Sequence, residues 1–321
     1  MENPPQGWHD IGAMADKIYS TIEEEIATLK KGRDAVILAH NYQTVDVQKV
    51  ADEVGDSLYL ARVASRLKAK VVVFAGVHFM AESVKILSPE KLVLMPDLDA
   101  GCSLANTIKA ADVRAWRAKF PEGMVVTYVN STAEVKAESD ICCTSANAVS
   151  VVKTLPEHKP VLFVPDFFLG LFVQRKLDRP LHLWRGFCHV HERITSAGVE
   201  AAKKEHPGAR LLMHPECGCL TKSMPLADEI LSTSGMVEFV AKSSDKDFLI
   251  ATEIGLVEQL KDRFPEKRFT PVGDNAVCEY MKLNTLEKIV ISLEKLQYPV
   301  EVDPEVAAKA RRAIERMVAI S

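Results

Sequence analysis

Three cysteines, Cys102 in PDLDAGCSLA, Cys188 in LWRGFCHVHER and Cys278 in GDNAVCEYMK, occupy the same place in three successive copies of one strand-and-helix pattern. They lie 86 and 90 residues apart. Other landmarks keep the same interval. The apolar runs VILAHNYQ, VVTYVNST and LLMHPECG end in polar clusters at His40, Tyr128 and His214, 88 and 86 residues apart. Small-residue turns follow at Ser57, Ser145 and Ser234, 88 and 89 residues apart. Landmarks of different kinds on one spacing read as three homologous units, here bounded as 1–108, 109–193 and 194–321, the last carrying extra C-terminal helices. One thiol per unit, far apart in sequence, can meet its equivalents on a pseudo-threefold axis. That is the pattern of a metal site, not of a disulfide framework.

Within a unit the periodicity alternates. In the first, IYSTIEEEIATLKKG reads as an amphipathic helix ending at Gly32, followed by the strand AVILAH, a helix through VQKVADEVG, the helix SLYLARVASRLKA, the strand KVVVFAG, the helix FMAESVKIL and the strand KLVLMPD. Continuous Val/Ile/Leu runs between helices imply parallel strands covered on both faces. The fold class is therefore α/β: three analogous α/β/α sandwich domains with right-handed crossovers, arranged about a pseudo-threefold axis. In such sheets ligands collect beyond the carboxyl ends of the strands. The His, Tyr, Ser and Cys landmarks all follow strands or open helices, so one shared central cleft is the economical arrangement.

Bulk properties exclude several function classes. Forty Lys and Arg against 44 Asp and Glu give a net charge of −4 with no basic stripe, which argues against nucleic acid. Apolar runs are strand-sized, well short of the ~20 residues needed to cross a bilayer. The start MENPPQGWHD has no basic-then-apolar leader, so a cytoplasmic location is expected. Seven cysteines, an odd number, are expected in a reducing compartment to be ligands or buried small side chains rather than bridges.

The ordered motifs LAHNYQ, VGDSL, FAGVHFMAE, AGCSLA, YVNSTAEVKA, CTSANA, PDFFLG, GFCHVHERIT, HPEC, STSGM, ATEIGL and CEYMKLNTLEKI closely resemble the quinolinate synthase family, over roughly residues 36 to 295. The resemblance implies three α/β domains around one 4Fe-4S cluster with three cysteine ligands, matched here to Cys102, Cys188 and Cys278, leaving one iron open. It implies condensation of iminoaspartate with dihydroxyacetone phosphate to quinolinate for NAD biosynthesis, and a functional link to an iminoaspartate-producing enzyme. It also implies a cleft lined by His40, Tyr42, Ser57, Tyr128, Val129, Asn130, Ser145, His191, His214, Pro215, Glu216 and Thr233. Among these, Tyr42 and Glu216 are the preferred proton carriers, with His40, Tyr128 and His214 beside them, because enolisation and dehydration need an acid or base within hydrogen-bond reach.

The hydroxyls at Ser57, Ser145, Thr233 and Ser234 are read as helix N-caps that also present free N–H groups to substrate anions. Cys142 and Cys143 read as packed strand residues, and the tightly spaced Cys217 and Cys219 as structural. Some relatives carry C-x-x-C-x-x-C at the last ligand; here the positions are Cys278, Met281 and Asn284, so Cys278 alone can ligate. Two other classes stay open at this point. A nucleotide-binding oxidoreductase with an iron-sulfur cluster would fit the α/β pattern, though no G-x-G-x-x-G follows a strand. A zinc scaffold would account for the cysteines but not for the polar residues that repeat with them.

Overall fold

The computed structural model describes residues 21–273 and 275–320. The expected leader-free start, MENPPQGWHD, lies outside the described residues. Among the described residues, twelve strands form three four-stranded sheets, every pair parallel. The first holds β1 (Ala35–His40), β2 (Glu53–Gly55), β3 (Val71–Ala75) and β4 (Leu92–Leu94) in the order β2-β1-β3-β4. The second holds β5 (Met124–Tyr128), β6 (Ile141–Cys143), β7 (Val161–Val164) and β8 (His182–Leu183) in the order β6-β5-β7-β8. The third repeats it with β9 (Arg210–Met213), β10 (Glu229–Ile230), β11 (Asp247–Ala251) and β12 (Arg268–Pro271), ordered β10-β9-β11-β12. Three sheets of one topology bear out the α/β reading.

The central strands are buried along nearly their whole length. Val72, Val73, Ala75, Val164, Leu249 and Ile250 are fully inaccessible because helices cover both faces. Each buried Val or Leu contributes roughly 1.5–3 kcal/mol. Such burial needs uninterrupted apolar runs, which is why the strands show no alternation.

Two local expectations are corrected. The expected helix VQKVADEVG stops at Val50, and Glu53–Gly55 pair with Leu38–His40 as an edge strand, so the first unit has four strands rather than three. The first helix, Ile22–Arg33, runs through Gly32; Asp34 ends it in the left-handed conformation at φ 51°, its N–H bonded to the Lys30 carbonyl.

The C-terminal segment does not stay with the third sheet. Helix Leu286–Lys295 packs on Ile22–Arg33, and helix Pro304–Val318 packs on Ala133–Ala137, β6 and His78–Leu87. Between these helices the chain pairs antiparallel with β4 through Met95 N to Tyr298 O (2.9 Å) and Val300 N to Val93 O (2.8 Å). That pairing closes what would otherwise be the open edge of the first sheet. Among the described residues no helix is long and apolar enough to span a membrane.

Candidate active site

In each sheet the chain leaves β1, β5 or β9 toward one edge and returns to build the other. The crevice at such a reversal of strand order lies at the carboxyl ends of the two central strands. One cleft of about 690 Å³, counted to its open mouth, gathers all three reversals. From the ends of β1, β5 and β9 it receives His40, Tyr42, Tyr128, Asn130, His214 and Glu216; from the edge-strand turns, Ser57, Ser145 and Thr233; from the cysteine loops, Cys102, Cys188, His191 and Cys278. Of the expected residues, Val129 and Pro215 do not line it: Val129 is buried, with its N–H bonded to the Cys143 carbonyl.

The cysteine loops are anchored alike. The first amide of the helix after the third strand of each unit donates to the carbonyl two residues before the cysteine: His78 to Ala100 (2.8 Å), Phe167 to Gly186 (2.8 Å) and Ile254 to Ala276 (2.9 Å). All three thiols are free; burial disfavours ionisation of each, with Cys278 adding to the effect on Cys102, and Cys102 and Cys278 adding to the effect on Cys188. Burial pushes the Cys102 thiol up to about 12 and that of Cys278 to about 11. Three free thiols that line one cavity and each resist ionisation alone fit an iron-sulfur cluster, whose positive charge would hold them as thiolates. Cys142, Cys143, Cys217 and Cys219 are fully buried and do not line the cleft.

Glu216 stands between two histidines whose rings stack at 4.9 Å, its Oε2 3.4 Å from His191 Nδ1 and 3.3 Å from His214 Nδ1. Burial pulls this carboxyl upward, but His214, His191 and Tyr128 outweigh it and hold it below the usual range. His40 and His191 are driven down by burial to about 3 and about 4. The His191–Glu216 contact at neutral pH is therefore carboxylate against neutral imidazole, not an ion pair. Burial, with the Glu216 charge, raises both Tyr42 and Tyr128, so both phenols keep their protons.

Four buried atoms here make no hydrogen bond within the protein: Asn130 Oδ1, Glu216 Oε1 and, despite their contacts with Glu216 Oε2, His191 Nδ1 and His214 Nδ1. Buried polar groups are ordinarily satisfied, so four unsatisfied atoms around one cavity mark the place of a polar ligand. The donor atoms of His191, His214 and Glu216 lie within 4.8 Å of one another, close enough to share one such group.

The N-cap expectation is corrected. Asp56 caps Ser57–Ala64 through Tyr59 N, and Ser232 caps Thr233–Lys242 through Gly235 N, while Ser145 lies ahead of Ala148–Lys153. Ser57 and Thr233 are first-turn residues whose hydroxyls are released from capping. Thr233 Oγ1 accepts from Asn41 Nδ2 at 2.9 Å, leaving its hydrogen for the cleft. Ser145 Oγ lies 3.1 Å from His214 Nε2, and Ser234 turns away to accept from Asp56 N at 3.0 Å.

The residues just after β11 escaped the sequence reading. Thr252 Oγ1 is 2.6 Å from Tyr42 Oη and 2.9 Å from His191 Nε2, joining the third unit to the first and second. Glu253 Oε1 accepts from Cys278 N at 3.0 Å and pairs with Lys282 Nζ at 3.1 Å; Lys282 in turn donates to the Tyr42 carbonyl at 2.5 Å. Gly255 is obligatory there, since a Cβ would lie 2.6 Å from Lys282 Nζ and 2.7 Å from the Tyr42 carbonyl. The available signal was the repeat itself: Asp166 and Glu253 cap the equivalent helices, 87 residues apart.

A histidine NMR titration checks these electrostatics. At pH 5, where an ordinary histidine is mostly protonated, His40 and His191 should still show neutral-ring nitrogen shifts. Protonation of either near pH 6 would contradict the buried assignment.

The sequence profile described as quinolinate synthetase A protein matches residues 24–319. The chain belongs to that enzyme family. A protein named quinolinate synthase from Thermus thermophilus is 54% identical over 301 residues, covering 93% of this chain and 97% of the relative. One of the same name from Pyrobaculum aerophilum is 49% identical over 302 residues, 92% and 98% of the two chains. A quinolinate synthase 2 from Methanosarcina acetivorans is 50% identical over 300 residues, 94% and 96% of the two chains.

Proposed function

We propose that this chain condenses iminoaspartate with dihydroxyacetone phosphate to quinolinate, phosphate and water, supplying the pyridine ring for NAD in the cytoplasm, with Cys102, Cys188 and Cys278 holding a 4Fe-4S cluster. The observation that carries the reading is one cleft in which three free thiols face four unsatisfied polar atoms. When bound, such a cluster supplies an open iron that acts as a Lewis acid toward a substrate oxygen or nitrogen.

The protein groups handle anions and protons. Asn130 Oδ1 and Glu216 Oε1, both without partners, can accept from the substrate nitrogen and hydroxyls. The Thr233 hydroxyl, accepting from Asn41, is oriented to donate to a carboxylate. Glu216, held ionised, is the base that takes a proton from the triose carbon. Tyr42, held protonated and tied to Thr252 and His191, is the acid for a leaving hydroxyl, and those partners give its proton a route for return. Burial of these groups excludes water from an imine that would otherwise hydrolyse.

Anaerobically prepared protein supplied with both substrates should release quinolinate, detected by chromatography against a standard. Protein with full iron and sulfide that makes no quinolinate would refute the assignment.

A further inference from the structure

The residues that directly follow the three cysteines form a chain of their own. Ser103 Oγ lies 2.6 Å from His189 Nδ1, and His189 Nε2 lies 3.0 Å from both carboxylate oxygens of Glu279. Each residue comes from a different unit and occupies the same repeat position. A carboxylate can only accept, so the imidazole carries a hydrogen on Nε2, and in the neutral ring Nδ1 accepts from the Ser103 hydroxyl. Direction is thus fixed along the chain: Ser103 O–H to His189, His189 N–H to Glu279. The Tyr280 ring meets that of His189 edge-on at 5.9 Å and holds it upright.

The backbone already ties each loop to its own unit through the carbonyl two residues ahead of the cysteine, which accepts from the first amide of a helix in that unit. Nothing in that anchoring fixes one loop against the next, yet three ligands for one cluster must keep their mutual spacing. The Ser103–His189–Glu279 chain supplies that connection. It runs from the cleft wall, lined by Ser103 and His189, out to Glu279, whose side chain is 58% exposed. We propose that these three are positioning residues that latch the cysteine loops to one another and slow their separation, so that cluster iron is retained. The inference rests on the cluster reading above but concerns residues outside the acid–base groups.

The test uses anaerobically reconstituted holoenzyme, a ferrous chelator in excess, and the rate at which brown absorbance is lost. Removing groups that orient metal ligands costs roughly 10–100-fold in metal affinity, so His189→Ala should release iron about tenfold faster. Its thermal midpoint, measured on apoprotein, should move little because the latch is partly exposed. Ser103→Ala and Glu279→Gln should each accelerate release, and His189→Gln, which keeps a donor and an acceptor, should restore part of the loss. Added to His189→Ala, either outer substitution should do nothing more, since the chain is already cut. Release at the wild-type rate in His189→Ala, or fully additive effects, would overturn the latch. Wild-type protein that takes up no iron would instead overturn the cluster reading, and the latch with it.

Discussion

Serine at Cys102, Cys188 or Cys278 is expected to abolish iron binding and activity together, whereas alanine at Cys142, Cys143, Cys217 or Cys219 should leave iron content nearly unchanged. The first three line one cavity and resist ionisation because they are desolvated there, while the other four sit fully buried in the core. Cys217 donates its thiol to the Ala251 carbonyl at 3.1 Å, and Cys219 lies 3.8 Å from Met213 Sδ, contacts of packing rather than of ligation. A cluster with three protein ligands has none to spare, so the effect should be all-or-none rather than graded. Losing a core thiol should cost a more ordinary ~1 kcal/mol of stability. Iron analysis of all seven single variants decides the matter. Full occupancy in any of the first three, or an empty site after replacing Cys217 or Cys219, would show that the ligand set is wrong.

Glu216→Gln and Tyr42→Phe should lower turnover by ~10²–10⁴-fold with iron content preserved. Gln keeps the shape of Glu216 but cannot take a proton, and it faces His191 and His214 with an amide where they had a carboxylate. Phe fills the Tyr42 space but loses the contacts to Thr252 at 2.6 Å and His191 at 3.2 Å. Steady-state rates on cluster-replete variants provide the measurement. Wild-type turnover in both would remove them from the proton-transfer path.

The sequence announced its three sheets because a fully buried parallel strand needs an unbroken apolar run, and β1, β3, β5, β7, β9 and β11 are such runs. It hid β2 and β10, since two- and three-residue edge strands such as Glu53–Gly55 and Glu229–Ile230 are too short to show any period. Residues at strand ends could be placed in the cleft from the rule that ligands gather there. Their partners could not, because these are set across units: Asn41 reaches Thr233, and Thr252 reaches Tyr42, through space that only the packing of sheets creates. The capping register was off by one because Asp56 and Ser232, each one residue ahead of a hydroxyl, are themselves good caps. The repeat arithmetic that found the cysteines also held the post-cysteine positions Ser103, His189 and Glu279. Nothing in three unlike residue types signalled that they would touch.

The pairing of Tyr298 and Val300 with β4 has a consequence for how the molecule is made. Domains generally fold as the chain leaves the ribosome, N-terminal first. Here the earliest sheet cannot finish in that order, because its last edge partner is synthesised some two hundred residues later. Cys102 emerges early and Cys278 only shortly before that closing segment, so the last of the three cleft thiols and the final edge arrive almost together. The sealing of the first sheet thus waits until all three sheets have been synthesised.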